Sequence, residues 1–277
     1  MTTRIAQEDL VQSLTEAFQF VSHHHPPDFV AALRLAYERE SHPPAKAALA
    51  QLLINSRMAA QGRRPLCQDT GVAQVFLRIG CGVQFFRRDG GPVRSLQVVA
   101  DEGVRQAYCD PDNPLRATLV ADPLGARLNT RDNTPAVLHC ELVEGNLLEV
   151  LVMAKGGGGD VKARFATLNP SDNVADWVIE QLPGMGAGWC PPGTLGVGIG
   201  GTPEQAMLLA KLALFNPIDM DLLQARDAQT AEESLRLELF NRANALGIGA
   251  QGLGGQSAVL DVKVLTQPCH AATIPVA

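Results

Sequence analysis

Aromatic side chains are scarce in this chain, at 5% of its 277 residues. A core must therefore be built mainly from Leu, Val, Ile and Ala. No apolar stretch is long enough to cross a bilayer. No charged segment leads into an apolar run at the start, so the pattern of a secretory leader is missing. These absences describe a soluble, cytoplasmic protein with no membrane partner. A basic stripe is also lacking: the arginines are scattered and the formal net charge is −6, which argues against nucleic acid as a partner. Closely spaced cysteine pairs are absent. Cys67, Cys81, Cys109, Cys140, Cys190 and Cys269 lie far apart, unlike the ligands of a zinc ribbon, and a cytoplasmic chain of this size is not expected to form disulfides. Cys81 and Cys140 sit in strand-like apolar runs and read as small buried hydrophobes.

What the chain has in abundance is glycine. Lys155 is followed by four consecutive glycines and Asp160. Glycine gives up side-chain packing and costs conformational entropy. That cost is accepted where backbone approaches a ligand closely or takes a positive φ. Flanked by Lys155 and Asp160, the run reads as a site for a small anion; a flexible loop is the alternative.

Patterning places a helix around Val11, Leu14, Phe18 and Val21, ended by a solvated turn at His23–Pro27. Asp28 then caps a helix carrying Phe29, Leu33 and Ala36, and a third helix spans about 44–60. Strands are expected at 72–79 and 96–100. A hairpin follows: 137–143, a turn at Glu144-Gly145-Asn146, then 147–154. A helix near 172–182 comes next. Thr202, Pro203 and Gln205 form a capping box. A helix at 231–246 and a last strand at 258–265 complete the reading. The class is α+β, with mixed and antiparallel sheets surrounded by helices and a helical N-terminal stretch. A single domain over 1–277 is expected.

Several polar clusters fall on loops, where function concentrates. Pro65-Leu66-Cys67-Gln68-Asp69-Thr70-Gly71 joins the helical opening to the first strand. Its cysteine suits a nucleophile, a metal ligand or an inert thiol. Cys190 is similar, with glycines shortly before it and two prolines after. Two rigidly placed cysteines on separate loops suit a cluster ligated from distant parts of the chain. Asn129–Pro135 is either a polar turn or a brace for a site. Leu195–Gly201 feeds a helix and reads as close packing or, less readily, as a nucleotide site. Pro268-Cys269-His270 follows the last strand.

Taken in order, PLCQDTG, NTRDNTP, AKGGGGD, LNPSD, WCPPG and GVGIGGTPEQAMLLAK resemble the class I, iron–sulfur-dependent fumarate hydratases. The likeness is greatest to their separate α subunit, of the type shared with the L-tartrate dehydratases. The resemblance implies an oxygen-sensitive 4Fe–4S cluster held by three cysteines, one iron being open to a small dicarboxylate. It implies a hydro-lyase that adds water reversibly across a carbon–carbon double bond. Residue by residue, it makes Cys67 and Cys190 cluster ligands, Gln68 and Asp69 substrate contacts, and Arg116 a carboxylate-binding arginine. It makes Gly158 a backbone contact to substrate and His270 the active-site histidine. Asp69 joins His270 among the catalytic groups. Lys155 carries no family role and is expected near the anionic pocket.

Two departures qualify the match. The family's third cluster cysteine lies a short way beyond a Pro-Val pair, here Pro275-Val276, and the given chain stops at Ala277. Cys269 is not at the matching position, so the isolated chain is expected to be able to lack a cluster. The family's second domain is also missing. The resemblance therefore implies a β subunit carrying the remaining catalytic residues, in an α2β2 assembly or an α-subunit dimer. A catalytically silent binding or scaffold subunit is the competing expectation, and a nucleotide-dependent oxidoreductase built on Gly196–Gly201 is a third.

Overall fold

An almost unbroken apolar run, Val72-Ala73-Gln74-Val75-Phe76-Leu77-Arg78-Ile79, dictates the first sheet, because a strand buried on both faces belongs at a sheet's centre. The computed structural model describes residues 2–277. In chain order its elements are β1 (Thr3–Ala6), α1 (Gln7–His23), α2 (Pro27–Arg39), α3 (Pro43–Gly62), β2 (Val72–Gly80), β3 (Val83–Phe86), α4 (Leu96–Tyr108), β4 (Val137–Val143) and β5 (Leu148–Lys155). There follow β6 (Ala166–Leu168), α5 (Val174–Met185), β7 (Gly193–Gly200), α6 (Pro203–Ala213), α7 (Met220–Gln224), α8 (Ala231–Ala245), β8 (Val259–Gln267) and β9 (Ile274–Val276). They are α+β, with mixed sheets, and group into two units. The first unit holds the chain up to His24 and Asn55–Gly157; the second holds His25–Ile54 and Gly158–Ala277. No helix among the described residues is long and apolar enough to cross a membrane.

In the first unit the strand order is β4-β2-β5. β2 runs parallel to β4 and antiparallel to β5, so Val75 faces Leu138 on one side and Val152 on the other. The hairpin expected at 137–154 is therefore not one. Its two strands are separated by β2, whose apolar side chains claim the centre. The Glu144–Asn146 turn bonds back to the β2–β3 connection instead, through Gly80 N to Leu147 O and Gly82 N to Gly145 O.

Residues 96–100, expected as a strand, open helix α4. Ser95 Oγ accepts the Val98 amide at 3.3 Å, and the buried positions Val99, Ala100, Val104, Ala107 and Tyr108 keep a helical period. A five-residue apolar window cannot reveal that period. These residues pack with Leu10, Val11, Leu14 and Phe18 of α1 against Ala73, Val75, Leu77 and Ile79. Cys81 and Cys140 are exposed rather than buried, since they lie at a turn and on an outer strand. His23, expected in solvent, is buried at the end of α1.

The second unit is built on parallel β7 and β8, with β9 and β6 continuing the sheet antiparallel. β8 is buried from Val259 to Val264, and it carries charge in its middle. Lys263 Nζ lies 2.9 Å from Asp261 and 2.5 Å from Asp219. The Arg236 guanidinium donates to the Val262 carbonyl at 2.6 Å and bonds Asp219 and Asp261. Pairing every charge offsets the cost of removing it from water. α2 starts at Pro27 rather than being capped by Asp28, whose carboxylate accepts the Ile218 amide at 2.7 Å. The capping box at Thr202 is present, with Thr202 N donating to Gln205 Oε1 at 2.9 Å.

Leu195–Gly201 is largely strand, not a phosphate-cradling turn. A Cβ added to Gly196 would fall 2.1 Å from the Ala210 carbonyl, and one on Gly198 would fall 2.0 Å from that of Ala206. The glycines let β7 seat directly on the backbone of α6, which is the close-packing reading. Gly198→Ala is accordingly expected to cost about 3 kcal/mol or more, because overpacking against backbone has no side chain to yield. Gly184→Ala, in α5 with nothing within 4 Å of the added carbon, is the control and should be neutral or slightly stabilising. Urea denaturation midpoints of the two variants decide this; equal midpoints would mean the β7–α6 contact is soft.

Candidate functional site

The first unit contributes the loop between α3 and β2. Its start is pinned by Leu66 N donating to Ser22 O at 2.8 Å and Asn55 Nδ2 donating to Leu66 O at 2.9 Å. Its end is pinned at Gly71, where φ is +78° and an added Cβ would lie 2.6 Å from the Lys155 carbonyl carbon. Only glycine fits there, because the loop passes against the end of β5. Between the two pins Cys67 and Gln68 are exposed and Asp69 is half-buried. The Cys67 thiol lies 3.4 Å from Gln68 Oε1 and 3.4 Å from the Asp69 amide.

Asp69 binds the glycine run. One carboxylate oxygen accepts Gly71 N at 3.1 Å and the other accepts Gly157 N at 2.6 Å. A Cβ on Gly156 would come within 3.0 Å of that second oxygen. Asp69, a substrate contact by the family resemblance, thus also holds Gly157. None of Gly156–Gly159 adopts a left-handed φ, so at Gly156 the residue type is explained by space rather than by backbone strain. Arg116 is exposed and joins this neighbourhood through its carbonyl, which accepts the Thr70 hydroxyl.

The second unit contributes Cys190, which follows the 3₁₀ turn Gly186–Trp189 and takes a left-handed φ of 58°. Its thiol is exposed. A Cβ on Gly158 would lie 3.3 Å from its sulfur, so the glycine keeps space open at the thiol. Gln251 clamps the next residue, donating from its backbone N at 2.6 Å and its Nε2 at 2.8 Å to Pro191 O. Asp160 closes the glycine run by pairing with Lys211 of α6 at 3.0 Å.

His270 stands in its own turn. Its Nδ1 accepts the Ala272 amide at 3.1 Å, which leaves the proton of the neutral ring on Nε2. The ring is exposed, and the neighbouring Cys269 thiol donates to Thr273 O at 3.3 Å. The structure thus joins Gln68, Asp69 and Arg116 around one loop and Gly158 with Cys190 around another, while the bonds of His270 stay local. Among the described residues no group of three or more His, Cys, Asp or Glu side chains is arranged to hold a metal ion.

Sequence reasoning missed Tyr108 and Thr118 altogether, and Asn133 was visible only as part of a polar cluster. Tyr108 donates to Thr70 O at 2.9 Å and to Gly71 O at 3.1 Å. No local signal marks a tyrosine at a helix end for this task.

Residues 11–277 match the sequence pattern of the family described as fumarate hydratase (Fumerase). The putative L(+)-tartrate dehydratase subunit alpha of Methanocaldococcus jannaschii is 34% identical over 271 residues, covering 95% of this chain and 90% of that protein. The L(+)-tartrate dehydratase subunit alpha of Escherichia coli (strain UTI89) is 29% identical over 284 residues, covering 100% of this chain and 90% of that protein.

Burial, reinforced by the nearby Asp69 charge, pushes the Tyr108 phenol up from 10.0 to about 12 although the Thr70 bond pulls the other way. A raised value means the neutral phenol stabilises the folded loop below pH 10, and that contribution is lost as pH rises through about 12. Proteolytic nicking at residues 66–71 should therefore rise steeply over that alkaline window. Tyr108→Phe should remove the pH dependence, and an identical profile in the variant would exclude Tyr108 as its cause.

Proposed function

The chain belongs to the fumarate hydratase (Fumerase) family, and we propose from that premise that it is the cluster-bearing α subunit of a hydro-lyase. Its reaction is reversible hydration of fumarate or a related small dicarboxylate, the tartrate/oxaloacetate pair included. The observation that carries this reading is the combined match: one family pattern over residues 11–277, and relatives named as tartrate dehydratase α subunits along nearly the whole chain.

The donor set fits an iron–sulfur cluster in its chemistry. Cys67 and Cys190 are exposed thiols on loops fixed by backbone hydrogen bonds, and thiolate sulfur is the ligand such clusters take. Gly158 leaves room beside the Cys190 sulfur, and the indole Nε1 of Trp189, adjacent in the chain, is buried without an acceptor. We assign two thiolates to the cluster and its remaining ligand to none of the described residues. When bound, a 4Fe–4S group with an open iron supplies a Lewis acid for a substrate hydroxyl and carboxylate.

The chain's own residues supply the rest of its share. Arg116 offers a planar guanidinium suited to a carboxylate. Gln68 and the remaining lone pairs of Asp69 orient the substrate hydroxyl. The Gly158 backbone contacts substrate without a side chain in the way. His270 presents Nε2–H as a donor, its other nitrogen being occupied by the Ala272 amide. Residues 1–277 are assigned as a single cluster-binding domain. The remaining catalytic groups come from a β subunit in an α2β2 assembly, and the enzyme works in the cytoplasm.

Anaerobic reconstitution of the chain, co-expressed with its β subunit, with iron and sulfide should yield a brown cluster absorption and hydratase activity; the chain alone should be inactive. Cys67→Ala and Cys190→Ala should each abolish the absorption. Arg116→Ala should keep it and lower kcat/KM by about 10–100-fold, the worth of a hydrogen bond to a charged group. A complex that never binds iron, or full activity from the chain alone, would sink the reading.

A further inference from the structure

The polar segment Asn129–Pro135 does more than turn the chain. Asn133 is completely buried, at 0% exposure, and sits at φ +59°, a left-handed conformation that asparagine tolerates better than most residues. Its amide faces two ways. Nδ2 donates to Gly71 O at 2.9 Å, and Oδ1 accepts Thr118 N at 2.8 Å and Leu119 N at 3.3 Å. The Gly71 carbonyl also receives the Thr118 hydroxyl at 3.2 Å and the Tyr108 hydroxyl at 3.1 Å. One buried carbonyl thus collects three donors from three separate segments. Gly71 closes the loop that bears Cys67, and Thr118 lies two residues beyond Arg116.

We propose that Asn133 is a positioning residue that sets the spacing between the Cys67–Gly71 loop and the Arg116 segment, with Tyr108 as a second brace. This rests on the roles given above to Cys67 and Arg116. The chemistry selects asparagine. Aspartate would aim a second acceptor at Gly71 O. Alanine would lose all of these bonds and resist the left-handed φ. Glycine would keep that φ and lose only the bonds, so Asn133→Gly isolates the hydrogen bonding.

The informative amides are Gly71 N and Gly157 N, because their acceptor is Asp69 and the substitution leaves it in place. Hydrogen exchange on the full chain, without cluster or partner, should show both accelerated at least about tenfold in Asn133→Gly, with residues 193–200 unchanged. Should that variant not fold, Tyr108→Phe carries the test with a smaller acceleration of about threefold. Asn133→Asp adds a readout that bulk destabilisation does not produce. Burial raises a carboxyl pKa, and the protonated acid regains a donor for Gly71 O. After correction for intrinsic exchange, both amides should be protected at low pH and released as the acid ionises. Unchanged exchange at Gly71 and Gly157, or equal acceleration throughout β2, β4 and β5, overturns the proposal. A wild-type complex that binds no iron sinks the functional reading instead and leaves these rates unaffected.

Discussion

The Gly71 carbonyl organises the loops of the first unit. It accepts from Asn133, Thr118 and Tyr108 at 2.9–3.2 Å, while its Cα passes so close to Lys155 and Gly156 that no side chain fits. A buried backbone acceptor left without donors is costly, so these segments are obliged to converge. Once they do, the Cys67-Gln68-Asp69 sequence, exposed at its first two residues, has little freedom left. Asp69 then passes the constraint onward by binding Gly157. Loop, glycine run and arginine segment are held by backbone groups and polar side chains, and the side chains of Gln68 and Arg116 stay exposed.

The second unit solves a related problem with space. Gly196 and Gly198 remove side chains where β7 meets α6, so strand and helix backbones touch. Gly158 does the same at the Cys190 thiol. The buried charges of β8 serve a different end. Asp261 and Lys263 satisfy each other and, with Arg236, hold Asp219 and the chain leading into α7 against the sheet. Hydrogen bonds from Lys263 and Arg236 keep the Asp219 carboxyl below the ordinary range despite burial, which acts to raise it. That contribution to stability is present above the usual carboxylate pKa and is lost as pH falls through the depressed value.

Much of this is legible in the sequence, and the parts that are not share a cause. The helix at 7–23 shows through its apolar period, and the one at 231–245 falls where the sequence puts it, with Thr230 as its cap. The segment at 96–108 does not show in this way, because its first residues look equally like strand. The strands at 137–143 and 148–155 were located correctly but paired wrongly. Their short turn favours a hairpin on local grounds, yet β2 has the larger apolar surface and takes the place between them. Cys140 looked buried because its neighbours are apolar, and an outer strand leaves it in water.

Residue order alone specified most of the long helices, the strands at 72–80, 137–143, 148–155 and 259–267, which loops carry Cys67, Cys190 and the glycines, and which family the chain joins. Those properties are written within a few consecutive residues or in long ordered motifs. Tertiary folding decided the rest: that Asp69 spends its oxygens on Gly71 and Gly157, that Gly156 and Gly158 are glycine for room rather than for turning, and that Asn133 reaches Gly71 across 62 residues. A hydrogen bond between distant segments depends on where each is carried by its own strand or helix, and no window along the chain contains both ends.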